Sequence, residues 1–183
     1  YLKNRGLSPE TMDFFNLGFV GEPMNDHTQF IGRISIPYIT PNGIVSLRFK
    51  GIPKDGVLSG AKMLSIPGDL GKPRPYNTNS IITMEPTVYI VEGEPDVWTL
   101  HEVGIPAVGI PGATTWKSFY GPMFQYRKIV VLQDNDDSGA GAKLSAKILE
   151  SIQARVIVMP KGHDANSFYM EHGRDALLEI IGE

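Results

Sequence analysis

The sequence contains no cysteine among its 183 residues. This absence excludes a disulfide framework and any cysteine-based zinc site. The four histidines lack the spacing typical of metal ligands, so the sequence predicts no histidine-based zinc site either; they are His27, His101, His163 and His172.

Other absences narrow the class of protein further. No apolar run approaches the roughly 18 residues of a membrane span, and no signal-peptide pattern is visible, so we expect a cytoplasmic protein without membrane partners. The segment GAGAKLS lacks the glycine that precedes lysine in a phosphate-binding P-loop, which argues against an ATPase. Because the chain begins at Tyr1 rather than Met, we expect it to be a piece of a longer protein.

Charge is unevenly distributed along the chain. Residues 1–80 contain nine Lys or Arg against six Asp or Glu, a net charge of +3, whereas residues 81–183 contain eight against fourteen, a net charge of −6. A basic half beside an acidic half is what a phosphate-handling site that uses metal ions requires.

The acidic half is organised around residues 128–144, KIVVLQDNDDSGAGAKL. A short apolar run ends at Asp134, Asp136 and Asp137, and a turn of small residues and a helical pattern follow, which is typical of a buried parallel strand. Asp134 and Asp136 are two residues apart and so point to the same side of an extended chain. The alternative is a solvated loop in which aspartate forms turns and caps the helix.

The same pattern recurs twice. VYIVEGEPD, residues 88–96, is a strand that ends in Glu92, and RVIVMPKGHD, residues 155–164, is a strand whose following loop carries Asp164. The carboxyl ends of parallel strands meet at one edge of a sheet, where ligands of open α/β sheets bind. A carboxylate cluster with only oxygen ligands suits Mg²⁺ or Mn²⁺.

The periodicity of the acidic half predicts a parallel sheet with helices on both faces. Its predicted strands cover residues 88–91, 107–110, 129–133 and 156–159. Its predicted helices cover residues 94–103 and 139–153, and further helices follow the last strand to the end of the chain. Residues 111–120 are predicted to form a loop or short helix.

The basic half is predicted to be a small α+β unit. Ser8 and Pro9 begin a helix over residues 9–16. Two alternating segments, residues 31–40 and 44–52, flank Asn42 and Gly43, which predicts a β-hairpin. Arg48 and Lys50 share one face of the second strand, where they form either a solvated surface or a basic ridge for phosphates.

These motifs resemble a known domain. A strand that ends in a glutamate within EGxxD, followed by a strand that ends in DxD and a small-residue turn, resembles the TOPRIM domain of bacterial-type primases, topoisomerases and some nucleases; this resemblance covers residues 84–183. The opening YLKNRGLSPETMDFFNLGFV resembles the entry to the catalytic core of bacterial-type primases. The implied domains are a basic α+β subdomain, residues 1–83, and a TOPRIM domain, residues 84–183.

The resemblance implies a DNA primase that makes short RNA primers from NTPs on a single-stranded DNA template, using Mg²⁺ or Mn²⁺, with two ions. It implies that Asp134 and Asp136 hold metal, that Asp164 is a further ligand or only a helix cap, and that Glu92 completes the cluster or takes a proton. Asp96 would hold metal or position Glu92.

The resemblance also implies a nucleic-acid surface. The residues expected to contact nucleotide or template are Arg48, Lys50, Lys62, Arg74, Tyr76 and Asn77, whereas Lys72 is expected to lie in a plain connecting loop. A replicative helicase is the expected partner, in a bacterial or phage-infected cell. The alternatives are a TOPRIM nuclease or topoisomerase fragment, or an inactive module that binds single-stranded DNA.

Overall fold

The computed structural model of the chain describes residues 1–22, 27–69, 74–83, 85–112 and 114–183. Lys72 and residue 84, at the predicted domain border, lie outside these ranges. The strands are β1 (Gly18–Phe19), β2 (Ile34–Thr40), β3 (Gly43–Lys50), β4 (Met63–Ser65), β5 (Thr87–Val91), β6 (Ala107–Gly109), β7 (Lys128–Gln133) and β8 (Arg155–Val158); the α-helices are α1 (Pro9–Phe14), α2 (Glu94–Glu102), α3 (Ala140–Leu149) and α4 (Ala165–Ile181).

The first sheet is antiparallel, in the order β1-β2-β3-β4. The predicted hairpin is present as β2 and β3, and Thr40 pairs with Gly43 across the turn. Gly43 has φ 108°, a conformation that glycine adopts without steric cost. A register shift at Tyr38 and Ile39 interrupts the ladder.

The predicted start of α1 is confirmed. The Ser8 hydroxyl accepts a hydrogen bond from the Thr11 N–H, which satisfies one of the free donors at the helix start. The Ser8 N–H and hydroxyl both donate to Glu102 on α2, at 2.6 and 2.9 Å. The cap therefore also attaches the basic half to the acidic half.

The second sheet is parallel, in the order β6-β5-β7-β8. Its alternating side chains enter two separate cores. One face packs against α2, α4 and the N-terminal elements, and the other against α3 and the 3₁₀-helix Ser118–Phe124. The predicted fold class, a parallel sheet with helices on both faces preceded by an α+β unit with a hairpin, is confirmed.

Several boundaries differ from those predicted. Helix α3 ends at Leu149 and not near residue 153. The Ser151 hydroxyl donates to the Ile148 carbonyl and accepts from Trp116 Nε1. These side-chain hydrogen bonds take the place of further helical turns after Leu149. Helix α4 contains a break at Gly173, which has φ 84°, so residues 165–172 form a first helical segment. No helix in the described residues combines the length and hydrophobicity needed to cross a membrane.

Tyr76 lies at the centre of the first core. It is 1% exposed, stacks near Phe15 and meets Tyr38 edge-on. Its hydroxyl accepts a hydrogen bond from Trp98 Nε1 at 2.9 Å, and its backbone pairs with Gly109, the last residue of β6. Tyr76 therefore connects the basic half to helix α2 and the parallel sheet.

Replacing Tyr76 by Phe leaves the buried Trp98 N–H without its acceptor. We expect Tyr76→Phe to lower the free energy of unfolding by about 1–3 kcal/mol, measured by urea denaturation. Tyr126 is fully exposed, so Tyr126→Phe should change the free energy by less than about 0.5 kcal/mol. Equal stabilities of the two variants would contradict this role of Tyr76.

Candidate active site

The three strand-end acids meet at one edge of the parallel sheet. Strand β5, which precedes Glu92, is hydrogen-bonded to β7, which precedes Asp134. Strand β8, whose following loop carries Asp164, pairs with the other side of β7. Asp96 and Asp136 belong to the same group. We call these five acids the acidic rim: Glu92, Asp96, Asp134, Asp136 and Asp164.

Electrostatic effects show that the rim is one cluster. Burial raises the pKa of Asp134, and the charges of the other four rim acids raise it further. Burial also raises the pKa of Glu92, to which Asp136 and Asp164 add, while Lys62 opposes them. The acids predicted from separate strands therefore act on one another in the folded chain.

The donor set of the rim fits a hard divalent cation. It offers only carboxylate oxygens, which Mg²⁺ and Mn²⁺ prefer, and a cation would relieve the repulsion that raises these pKa values. Among the described residues, no three of the rim carboxylates have oxygen atoms that all lie within 4.8 Å of one another. A shared Mg²⁺ would therefore need water ligands, which this ion usually retains.

The backbone around Asp134 is tightly constrained. A Cβ at Gly141 would overlap the Asp134 carbonyl oxygen and lie 2.9 Å from its nitrogen, so only glycine allows this approach. Asn135 joins the strand-end loops, because its side chain donates to the Met159 carbonyl and its N–H donates to the His163 carbonyl. The small-residue turn after the DxD motif thus positions Asp134.

Asp136 is exposed and stabilised by its own loop. Its Oδ1 accepts hydrogen bonds from the Ser138 hydroxyl and N–H, at 2.6 and 3.0 Å. The bond from the Ser138 hydroxyl lowers the pKa of Asp136. Asp136 therefore presents an ionised carboxylate at the open side of the rim.

Asp96 is the most buried member of the rim, at 4% exposure. Its carboxylate accepts hydrogen bonds from the N–H groups of Gly93 and Asn166, the latter at 3.1 Å. Burial, followed by repulsion from Asp164, raises its pKa. These contacts support the positioning role predicted for Asp96, because they attach the Glu92 turn to the start of α4.

Asp164 caps helix α4. Its Oδ1 accepts from the Ser167 N–H at 2.6 Å, and the Ser167 hydroxyl accepts from the Asp164 N–H at 3.0 Å, which forms a capping box. Of the two roles predicted for Asp164, the cap is present. Its metal role stays a prediction, supported by its repulsion with Asp134 and Glu92.

Four basic side chains line a cleft of about 380 Å³ together with part of the acidic rim. We call them the basic wall: Arg5, Arg48, Lys50 and Lys62. The same cleft is lined by Glu92, Asp96 and Asp164. Lys50 is only 6% exposed; burial lowers its pKa, and the charge of Arg5 lowers it further. The cleft therefore brings cations of the basic half to the carboxylates of the acidic half.

A buried contact determines where Arg48 lies. Its guanidinium is 3.6 Å from Glu94 Oε1 and 5.0 Å from the centre of the Tyr38 ring. The Tyr38 hydroxyl donates to the same Glu94 oxygen at 2.6 Å. Glu94, at the start of α2, thus holds the hairpin and its arginine against the parallel sheet.

Asn166 performs a similar role for Arg5. Its side chain accepts from the Arg5 guanidinium at 2.9 Å and donates to the Arg5 carbonyl and the Thr99 hydroxyl. Its N–H is the group that donates to Asp96. Asn166 therefore connects the basic wall to the acidic rim.

Three residues predicted to contact nucleotide or template do not line the cleft. Arg74 forms two hydrogen bonds with Asp69, at 2.8 and 3.1 Å. Asn77 donates to the Ser80 hydroxyl and the Ala107 carbonyl, and Tyr76 is the core residue described above. Tyr76 and Asn77 thus make structural contacts, and their contact with nucleotide or template stays a prediction.

Sequence reasoning missed three residues of the site: Arg5, Glu94 and Asn166. Glu94 occupies a variable position of EGxxD, and Asn166 lies two residues after Asp164. Only their proximity to recognised motifs could have suggested them, because their partners are 46 to 161 residues away in sequence.

Comparisons with known proteins agree with this geometry. The family model described as the Toprim domain matches residues 87–175. The Gene 57 protein of Mycobacterium phage D29 is 39% identical over 157 residues, which cover 82% of this chain and 98% of that protein. The chain therefore contains a Toprim domain and belongs to the same family as this phage protein.

The chain as a whole has the fold of a primase catalytic core. A DNA primase of Aquifex aeolicus is 24% identical over 220 residues, across 99% of this chain and 44% of that protein. The crystal structure of the Aquifex aeolicus primase, comprising its zinc-binding and RNA polymerase domains, matches with a TM-score of 0.78 and 22% identity, over 100% of this chain and 54% of that one. The chain thus spans about half the length of these primases.

Two further solved structures share the fold. One is a DnaG primase catalytic domain bound to single-stranded DNA, with a TM-score of 0.77 and 21% identity, over 100% of this chain and 72% of that one. The other is the primase fragment of the bacteriophage T7 primase-helicase protein, with a TM-score of 0.74 and 22% identity, over 98% of this chain and 72% of that one.

The raised pKa of Asp134 has a consequence for stability. The folded chain retains a proton that the unfolded chain has released, so the free energy of unfolding of the metal-free protein falls as pH rises from about 4 through the raised value. We expect Asp134→Asn to increase this free energy at pH 8 by at least about 1 kcal/mol, measured by urea denaturation in EDTA.

The matched control is Asp137→Asn, an exposed acid in the same loop, which should have little effect. Asp134→Asn should also reduce the stabilisation that added Mg²⁺ gives to the wild-type protein. A loss of stability in Asp134→Asn at pH 8 without metal would show that the rim is not strained by repulsion.

Proposed function

We propose that the chain is the catalytic core of a DNA primase, which makes short RNA primers on single-stranded DNA by divalent-metal-dependent nucleotidyl transfer. The observation that carries the proposal is the cleft that the basic wall lines together with three rim acids, Glu92, Asp96 and Asp164. Residues 1–83 would form the basic subdomain and residues 84–183 the Toprim domain. The reaction would take place in the cytoplasm of a bacterial or phage-infected cell, beside a replicative helicase.

The residues of the rim divide the chemistry between them. Asp134 and Asp136 would hold two Mg²⁺ or Mn²⁺ ions, with Asp164 as a further ligand. Bound in this way, the ions would neutralise the triphosphate and lower the pKa of the attacking 3′-hydroxyl. Glu92 either completes the ligand set or accepts the hydroxyl proton, and burial raises its pKa towards the range useful for a base. Asp96 keeps the Glu92 turn against α4.

The basic wall supplies the complementary charge. Lys62 is exposed and acts electrostatically on Glu92 and Asp136, so it is placed to meet phosphates that approach the rim. Arg48 and Lys50 lie deeper on β3, held by Glu94 and by burial. Phosphates of the NTP or template would therefore lie between the wall and metal ions at the rim. Lys50 and Arg48 contribute from the inner part of the cleft.

Primer synthesis is the direct test. The protein is incubated with single-stranded template, labelled NTPs and Mn²⁺, and the products are separated on a denaturing gel. We expect labelled oligoribonucleotides from the wild-type chain and none from Asp134→Asn or Asp136→Asn, because each variant removes a carboxylate charge from the rim. Both variants should still bind single-stranded DNA with nearly wild-type affinity.

Asp137→Asn provides the matched control, because it removes an equal charge from the same loop outside the rim and should retain synthesis. Cleavage of the template would instead indicate a Toprim nuclease, and neither product with intact binding would indicate an inactive binding module. Full synthesis by Asp134→Asn would refute the assigned metal role.

Arg48 allows an independent test of the wall. We expect Arg48→Ala to weaken single-stranded DNA binding and to reduce the slope of log K against log salt by about one, because one phosphate contact is lost. Fluorescence anisotropy at several salt concentrations measures both quantities. Lys147 is an exposed residue of α3 that does not line the cleft, so Lys147→Ala should leave the slope unchanged. An unchanged slope in Arg48→Ala would remove Arg48 from the phosphate contacts.

A further inference from the structure

A second group of potential metal ligands lies on the first segment of α4 and in the loop before it. His163 precedes α4, and Glu171 and His172 end the first segment of that helix, before the break at Gly173. One ligand atom from each of the three lies within 4.8 Å of the other two. The Nε2 atoms of His163 and His172 are 3.8 and 3.7 Å from the two carboxylate oxygens of Glu171.

This grouping is not visible in the sequence, in which the four histidines show no ligand spacing. The sequence cannot show that the loop before α4 turns back along the helix, so that its histidine meets the end of the second helical turn. Folding brings two of the four histidines together with a carboxylate.

The chemistry of this group differs from that of the rim. Two imidazoles and one carboxylate form a ligand set that suits Zn²⁺ and related transition ions, whereas Mg²⁺ prefers oxygen ligands alone. The group also lies at the C-terminal end of a helical segment, where the partial negative charge of the helix favours cations. Exposure of Glu171 and His172 leaves space for water as a fourth ligand.

Packing holds the two imidazole rings in place. Phe168 meets the His163 ring edge-on at 5.6 Å and the His172 ring at 4.4 Å. His163 Nδ1 is buried and has no hydrogen-bond partner among the described residues. Its Nε2, in contrast, faces Glu171. Aromatic contacts thus replace the hydrogen bond that usually orients a histidine ligand.

We propose that His163, Glu171 and His172 form a binding site for Zn²⁺ or a similar transition-metal ion, separate from the magnesium-type rim. The ion would tie the loop before α4 to the end of its first helical segment. The same loop carries Asp164, and the His163 carbonyl accepts from the N–H of Asn135, between Asp134 and Asp136. An ion here would therefore brace the two loops that carry rim acids.

Calorimetric titration of the full chain with Zn²⁺, in excess Mg²⁺ to occupy the rim, tests the site. We expect one Zn²⁺ per chain and at least about tenfold weaker binding in His172→Gln and Glu171→Gln. These two residues are largely exposed, so their variants should fold normally, as checked by circular dichroism. His163→Gln should also lose binding, but its half-buried ring makes it the less informative variant.

Two control variants separate this site from other zinc ligands. His101→Gln alters a histidine on α2, and Asp134→Asn alters the rim; both should keep wild-type Zn²⁺ affinity. Absence of Zn²⁺ binding in the wild-type chain, unchanged affinity in His172→Gln and Glu171→Gln, or loss of affinity in Asp134→Asn would each overturn the proposal. None of these outcomes depends on primer synthesis, so the two proposals fail independently.

Discussion

The burial of several carboxylates together at one edge of the parallel sheet is the constraint on which the rest of the site depends. Burial and mutual repulsion raise the pKa values of Asp134, Asp96 and Glu92. A fold that gathers like charges in this way must compensate them with hydrogen bonds, opposite charges or cations. Hydrogen bonds from Gly93 and Asn166 stabilise the carboxylate of Asp96. The positive charges of the basic wall offset the negative charges of the acids that line the cleft. Divalent cations bound at the rim would offset the charges that remain.

The two halves of the chain are joined by polar contacts made at the cleft itself. Glu94 receives the Tyr38 hydroxyl and lies beside Arg48, and Asn166 bonds Arg5 while its N–H donates to Asp96. These buried groups have partners on both sides, so separating the halves would leave them unsatisfied. The contacts that position the basic wall therefore also stabilise the association of the two sheets. The arrangement of charges in the cleft thus depends on the folded state of the whole chain.

Two kinds of cation site would lie close together along one pair of loops. The rim offers only oxygen ligands, whereas the group of His163, Glu171 and His172 adds imidazole nitrogens. Because ions differ in their preference for these ligands, the two sites would select different metals. The Asn135 side chain and backbone bind both strand-end loops. Asn135 therefore connects the two loops through hydrogen bonds.

The sequence by itself determined the parallel sheet, the hairpin and the Ser8 cap, because short-range periodicity and turn chemistry specify these elements. It also indicated that Glu92, Asp134, Asp136 and Asp164 follow strands, and strand ends of a parallel sheet share an edge. Only the tertiary structure decided that Tyr76 is buried in the core, that Asp96 is buried against Asn166, and that Arg5 and Glu94 line the cleft. It alone brought His163 to His172. Most of these residues have partners that are distant in sequence. The contact of His163 with His172 depends on the path of a loop, which local sequence patterns do not specify. These contacts therefore form only when the chain folds.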